Sequence, residues 1–513
     1  MKLEFEVIPN KLGPPASGCM LALLHEDNWD DWGKYSTMYY FRVFDANGEL
    51  HDIGRLKIGQ FRMNSRRPEI PEKFTQLCDQ FFSLGQDASF YQNLYALDYG
   101  LRGQVLRALN DVVNDQQLFS RILTEEVAKI SLLRSVSPTS IQGQFRRVLQ
   151  GSARLTAFKF KYLLPKGQGV AGVTVDFNVK PESNPPSNIH VLIGRNGVGK
   201  THLLNNMVRA LVDKEAKSSK VGSFFSMNDD NGEGIFSGVI SISFSAFDPF
   251  EPLPEQRDKT AGIKYSYVGL KRTSNRGGDQ GTPMSHDMLA NEFVKSLMHC
   301  LKMGKKNEWQ KALSILETDQ LFNDAALRSL IDTEDDDVLK KTASSLFKKL
   351  SSGHGIVLLT LTRLVQTVEE KSLVLLDEPE AHLHPPLLSA FVRALSDILS
   401  HKNGLAIIAT HSPIVAQEVP SQCVWKMRRT GYEAVTERPS IETFGENVGV
   451  LTREIFGLEV TQSGFHQLLQ FAIAESNNFG EVMEYFEGKL GAEARAISRG
   501  LIAEREHRED DNS

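Results

Sequence analysis

The sequence predicts an α/β fold in which a phosphate-binding loop is set into a mixed sheet. A helical lobe and an N-terminal α+β module complete it. Three stretches carry this expectation. The apolar run Ile189-His190-Val191-Leu192 leads into Ile193-Gly194-Arg195-Asn196-Gly197-Val198-Gly199-Lys200-Thr201, followed by a helical pattern from Leu203 to Val208. A second apolar run, Ser372–Leu376, ends in Asp377-Glu378-Pro379, and a third, Leu405–Thr410, ends in His411. Short apolar runs with polar ends read as buried parallel strands. Ligands of such sheets sit at the carboxyl ends of the strands.

The first stretch has the G-x-x-x-x-G-K-T form of a phosphate cradle. Gly194, Gly197 and Gly199 let the backbone turn tightly and aim N–H groups at phosphate oxygens. Lys200 adds a point charge, Thr201 a hydroxyl for Mg²⁺, and the following helix an N-terminus that favours anions. The candidate nucleotide-binding residues are therefore Gly194, Arg195, Asn196, Gly197, Val198, Gly199, Lys200, Thr201 and His202, with ATP and Mg²⁺ as the expected ligands. Asp377 is the second candidate metal residue, acting through water. Glu378 is the candidate catalytic base, because hydrolysis needs a polarised water in line with the γ-phosphate. His411 is the other candidate catalytic residue, since imidazole can donate a hydrogen bond near neutral pH. Leu350-Ser351-Ser352-Gly353-His354 precedes an apolar helical run from Ile356 to Val368. Ser351 or Ser352 can cap that helix, and Gly353 can let a phosphate approach.

A chain of 513 residues leaves room for about two or three domains. With 24% charged and 41% hydrophobic residues its composition is that of an ordinary globular protein. The net charge of -6 gives no global footprint for nucleic acid, and Lys305-Lys306, Lys340-Lys341 and Lys348-Lys349 are too scattered to make a patch. Cys19, Cys78, Cys300 and Cys423 form no C-x-x-C pair, and free thiols fit a reducing cytosol. No apolar run reaches the roughly 18 residues of a membrane span. The chain is expected to be cytoplasmic, without a membrane partner.

Residues 1–150 read as an α+β module of unassigned role. Strands Tyr39–Phe44 and Leu50–Ile58 flank an Asn47-Gly48 turn, and residues 71–150 read as helical from the spacing of Phe74, Leu77 and Phe81 and of Leu94, Leu101, Val105 and Leu109. Residues 151–460 read as the ATPase. Leu155–Tyr162 and Gly172–Val179 alternate as half-buried antiparallel strands, and Val239–Ser245 reads as a buried strand. The polar, glycine-containing stretch 213–234 reads as an exposed excursion, 272–283 as a loop, and 284–350 as a helical lobe without heptads. Residues 461–513 read as helical, with a charged, disordered tail from Glu504.

These motifs, in this order, resemble the ABC-type ATPases. Gly194–Thr201 matches Walker A, and Leu373–Glu378 matches Walker B. Leu350–His354 is similar to the Leu-Ser-Gly-Gly-Gln signature, with Ser352 for a glycine and His354 for the glutamine, and His411 matches the switch histidine. The run Asp377-Glu378-Pro379-Glu380-Ala381-His382-Leu383-His384-Pro385 resembles the D-loop region of RecF, OLD and SMC-like ATPases rather than transporter subunits. Ser243–Asp248 and Thr443–Glu446 resemble the AAA-type ATP-binding proteins of bacterial anti-phage islands, the Septu and PARIS ATPases among them. The resemblance covers about residues 155–460. It departs at the Q-loop: no glutamine follows the strand after Walker A until Gln256, so either Asp248 or Gln256 takes that place.

The resemblance implies an ATP-hydrolysing homodimer. Each ATP would lie between Walker A of one subunit and Ser351, Ser352 and Gly353 of the other. It also implies regulation of a separate effector, a nuclease, in anti-phage defence. A RecF- or SMC-like DNA-repair ATPase that binds nucleic acid is the alternative. SMC arms have no room here, and residues 461–513 lack the acidic cluster of a TOPRIM nuclease.

Overall fold

The computed structural model describes the chain except residues 1, 10–12, 14, 28–32, 152–154, 168–170, 228–234, 246–249, 256–262, 274–281, 325–326, 334, 431–432, 458–463 and 511–513. The N-terminal sheet contains β1 (Glu4–Ile8), β2 (Leu21–Glu26), β3 (Met38–Phe44), β4 (Leu50–Gln60), β5 (Lys73–Phe74) and β6 (Phe81–Gly85) in the order β5-β1-β2-β3-β4-β6. The β3–β4 hairpin turns at Asp45–Glu49, where the Asp45 carboxylate accepts from the backbone of Asn47 and Glu49. Helices begin only at Ala88. The helical reading of 71–87 is corrected: Phe74 pairs with Phe5, and Phe81–Gly85 adds to β4. Every residue of β6 is buried, so it shows no alternation, and its spacing to Phe74 and Leu77 imitates a helix. A core running from Leu3 to Val148 fills this module.

The next strands are β7 (Phe158–Leu164) and β8 (Val173–Val179), an antiparallel pair extended by β10 (Ser223–Ser226). The central sheet holds β9 (Ile189–Ile193), β11 (Gly238–Ser243), β12 (Lys264–Gly269), β13 (Ser372–Asp377), β14 (Leu405–Thr410), β15 (Val424–Thr430) and β16 (Glu433–Glu437). Its order is β12-β11-β13-β14-β9-β15-β16, parallel throughout except for β16 at the edge. This is a mixed sheet, parallel at its centre, with the glycine-rich loop leaving the carboxyl end of β9.

Burial on both faces explains the unbroken apolar runs. Leu373 and Leu375 of β13 enter one core with Leu405 and Ile407 of β14, while Val374 and Leu376 enter the other with Ala406 and Ile408. The same alternation aims Asp377 toward the face that carries the helix Lys200–Val212, whose Leu203, Leu204 and Met207 lie in the first core.

The helical lobe comprises His286–Lys302, Lys306–Leu316, Asp336–Lys349 and shorter turns packed around the helix Ser352–Thr367. Trp309 is fully buried there and donates to the Thr362 hydroxyl at 2.9 Å. The Ser352–Thr367 helix starts four residues earlier than its apolar run suggests, because Ser351 supplies the cap. Contrary to the disordered-tail expectation, helix continues from Ala492 to Asp510. Arg505 holds it by donating to the carbonyls of Ile473, Ser476 and Asn477 at the end of the helix Phe465–Glu475. The N-terminal module is tied to the sheet through an ion pair between Arg147 and the buried Glu370.

His190 faces Phe177 edge-on inside the sheet, at 5.2 Å between centroids. Burial, helped by the charge of Arg438, pushes its pKa down from 6.5 to about 3. A depressed histidine gives stability that is complete above its unfolded pKa and is lost as pH falls toward the folded value. At pH 5 the unfolded chain binds this proton and the folded chain does not, which costs about 2 kcal/mol. His190→Leu is therefore expected to unfold near the parental temperature at pH 7.5 and to lose less on acidification to pH 5. Equal losses would show that His190 does not contribute to acid sensitivity.

Candidate active site

β9 ends at Ile193, and the loop Gly194–Gly199 carries the chain into the helix Lys200–Val212. Gly197 and Gly199 have φ of +83° and +101°, which side chains disfavour. At Gly194 space is the reason for glycine: an added Cβ would stand 2.2 Å from the Met427 carbonyl of β15. Arg195, Asn196 and Gly197 are exposed along the loop, and Val198 is half-buried.

Lys200 is only 4% exposed, and its ammonium donates to the carbonyls of Gly194 (2.9 Å) and Arg195 (3.0 Å). Burial lowers its pKa, opposed by the negative charges of Glu378, Glu380 and Asp377. The loop thus holds a buried cation against two of its own carbonyls. His202, two residues on, meets the Asn206 amide through Nδ1 at 3.1 Å and the Phe250 ring at 5.9 Å.

Thr201 and Asp377, 176 residues apart in sequence, meet: the Thr201 hydroxyl donates to Asp377 Oδ1 at 3.1 Å. A hydroxyl and a carboxylate placed side by side fit the oxygen preference of Mg²⁺, which binds few protein groups and keeps several waters.

Immediately after β13, Glu378 adopts φ 44° and ψ 60°. A left-handed conformation in a non-glycine residue costs about 1 kcal/mol and is characteristic of functional turns. The turn is held by the Glu378 N–H donating to the Ala409 carbonyl at 2.9 Å. His411, just beyond β14, places Nδ1 3.8 Å from a Glu378 carboxylate oxygen and 3.1 Å from Glu380 Oε1. The same Glu380 oxygen accepts from the Thr410 hydroxyl (2.6 Å) and the His411 N–H (2.7 Å). Glu380 thereby anchors both the backbone and the ring of His411. Sequence reading assigned it no role, although it lies inside the Asp377–Pro385 run.

The helix Ser352–Thr367 packs on Lys306–Leu316, His286–Lys302 and Pro385–Ser400, while the Walker A helix packs on β10, β11, β13 and β14. Leu350–His354 therefore gathers with the segment after Glu378 rather than with the loop of its own chain. Ser351 and Ser352 are exposed; Gly353 is buried. An added Cβ at Gly353 would lie 2.3 Å from the His382 carbonyl, so its missing side chain is required by that packing whatever else approaches. Asp248 and Gln256, the two candidates for the Q-loop position, fall outside the described residues.

Residues 308–416 match the family model described as "AAA domain, putative AbiEii toxin, Type IV TA system". The solved structures to which the chain is similar include these three. One is an ATP-binding cassette of an ABC transporter in its ADP conformation (14% identity, TM-score 0.31, covering 60% of this chain and 98% of that one). Another is cbiO1 from Clostridium perfringens, part of an ABC transporter complex (13%, TM-score 0.30, 64% and 100%). The third is UvrA2 from Deinococcus radiodurans (12%, TM-score 0.31, 60% and 42%). Among the described residues no helix is long and apolar enough to cross a membrane. "Protein ea59" of Escherichia phage lambda is 42% identical over 529 aligned residues, spanning 98% of this chain and 99% of that protein. Identity at that level over nearly the whole length of both chains means that this chain belongs to the ea59 family.

Proposed function

We propose that the chain is a MgATP-hydrolysing ATPase that closes as a homodimer on ATP and thereby controls a separate effector. The observation that carries the reading is the convergence of Lys200, Thr201, Asp377, Glu378 and His411 at the carboxyl ends of β9, β13 and β14. Lys200 leaves its carbonyls to pair with phosphate, and Thr201 and Asp377 hold the metal. Mg²⁺, when bound, offsets charge on the phosphate oxygens. Glu378 takes a proton from the attacking water, and His411, oriented by Glu380, contacts the γ-phosphate. Ser351 and Ser352 are exposed at a capped helix N-terminus, on elements other than those packing the Walker A helix, which suits binding to the triphosphate of a second copy. Such an interface is isologous, so each copy gives one half of two identical sites.

Ser352→Arg tests the shared site. It adds a bulky cation at an exposed position without entering the core. It is expected to keep the parental fold and nucleotide affinity of the isolated chain, but to lose ATP-driven association and most turnover. Parental turnover in this variant would mean that one chain holds a self-sufficient site.

The setting we propose is anti-phage defence with a nuclease as effector. The resemblance to defence-island ATPases supports it, as does the toxin–antitoxin family matched by residues 308–416. A phage-borne relative fits carriage on mobile DNA, where resistance to rival phage is useful.

A second reading, a RecF-like DNA ATPase, has one feature in its favour. A cleft of about 1000 Å³ lies between the N-terminal module and the helical lobe, lined by Lys129, Arg134, Lys264, Lys295, Lys302, Lys340 and Arg363. Most of these cations already face acids, including Lys264–Glu369, Lys295–Glu292, Lys302–Asp336 and Arg363–Glu255, which weakens the cleft as a nucleic-acid path. DNA-stimulated turnover without an effector would favour this reading.

A further inference from the structure

Resting on the composite-site reading, we infer that Asp319 and His354 are positioning residues for the signature serine, and that Ser351 can donate to a triphosphate only when His354 takes up a second ring proton. His354 is 7% exposed. Its Nε2 lies 3.1 Å from Asp319 Oδ1, and its Nδ1 lies 2.6 Å from Ser351 Oγ. The three residues form one hydrogen-bonded line from a carboxylate to an exposed hydroxyl.

In the neutral ring, counting protons fixes the direction of each bond. A carboxylate only accepts, so Nε2 carries the hydrogen toward Asp319. Neutral imidazole has one N–H, which leaves Nδ1 as an acceptor, and the Ser351 hydroxyl must donate to it. The His354 backbone N–H also points at Ser351 Oγ, at 3.4 Å. Ser351 then has no hydrogen to offer outward, and a phosphate oxygen would meet lone pairs.

Binding a phosphate through this hydroxyl requires the bond to reverse. One proton from solvent enters at Nδ1, Nδ1–H donates to Ser351 Oγ, and the Ser351 O–H turns to the phosphate oxygen. No bond between heavy atoms changes. The imidazolium is then flanked by Asp319 on one side and the phosphate on the other. The glutamine of the motif this segment resembles has no titratable proton, so the coupling is a consequence of histidine at this position.

The groups around the ring are few. Asp319 follows the helix Lys306–Leu316, and the Phe322 ring is 5.2 Å away. His384, ahead of the helix Pro385–Ser400, has its ring 6.2 Å away, with Nε2 3.4 Å from the other Asp319 oxygen. On the elements packed beside the signature, Lys348 is paired with Asp287, and His286 points toward the Lys348 carbonyl. His384 is half-exposed and shares Asp319, so it is the group a pH experiment must separate from His354.

The test uses the full chain carrying Glu378→Gln, so that nucleotide is not consumed. The MgATP concentration for half-association is measured by sedimentation between pH 7 and 8.5. Apparent affinity is expected to fall as pH rises, because association takes up a proton. The added substitutions His354→Gln and Asp319→Asn should both associate with a much flatter pH dependence. In the second, the amide can donate to Nε2 and leave a hydrogen on Nδ1 for Ser351 without proton uptake. His384→Gln should keep the parental slope. A parental slope in both His354→Gln and Asp319→Asn, or a slope that disappears only with His384→Gln, would overturn the inference while leaving the shared site intact. Absence of MgATP-driven association at every pH in the Glu378→Gln parent would overturn the shared-site reading and this inference together.

Discussion

Glu378→Gln is expected to bind MgATP as the parent does and to turn it over about two to four orders of magnitude more slowly. The substitution preserves shape and removes only the ability to accept a proton. Its neighbours permit that separation of effects. The Glu378 backbone, not its carboxylate, closes the turn onto Ala409, and the nearest His411 nitrogen is 3.8 Å from the carboxylate. His411 keeps its closer anchor on Glu380. The variant should therefore accumulate as an ATP-bound dimer. Single-turnover measurement of phosphate release, beside nucleotide binding, checks this. Parental turnover would remove Glu378 from the role of base. Glu380 is poorly placed to replace it, since one of its oxygens already serves Thr410 and His411.

Lys200→Ala is expected to abolish useful nucleotide binding. Truncating one partner of a buried charge pair costs about 2–5 kcal/mol, or roughly 30-fold to 4000-fold in affinity. In the free chain the loss is smaller, because Lys200 gives up only two carbonyl contacts at the protein's edge of the loop. The readout follows from linkage: a ligand at a hundred times its Kd stabilises the folded state by about 2.7 kcal/mol. MgATP should thus raise the parental unfolding temperature and leave that of Lys200→Ala unmoved. A thermal shift of parental size in the variant would contradict the phosphate-cradle assignment.

Much of this site was legible because its parts are local. A buried strand followed by glycines, or by two carboxylates, carries its own context in a dozen residues. Parallel strands covered on both faces display their ends as abrupt changes from apolar to polar, and Asp377 and His411 sit at those changes. Features made by distant partners were harder to read. β5 and β6 look helical in spacing, and only their pairing with β1 and β4 shows otherwise. β12, β15 and β16 gave no clear signal either. β15, Val424–Thr430, mixes apolar and basic residues without regular alternation, and β16 is largely polar. Glu380 stood inside a quoted motif, but its purpose appears only when β14 lies beside β13. Asp319 had no signal at all, since 35 residues and a change of helix separate it from His354. The charged tail hid a helix because its anchor, Arg505, bonds carbonyls about 30 residues back.

The central claim is that the active unit contains two copies of this chain, with each triphosphate held between them. Sedimentation velocity of the parental protein under saturating MgATP, run beside an ATPase assay of the same sample, tests it most directly. The expected result is a dimer that forms with MgATP, survives longest in Glu378→Gln and fails to form in Lys200→Ala and Ser352→Arg. A protein that remains a monomer at saturating MgATP while hydrolysing it at a steady rate would rule out a site shared between two copies.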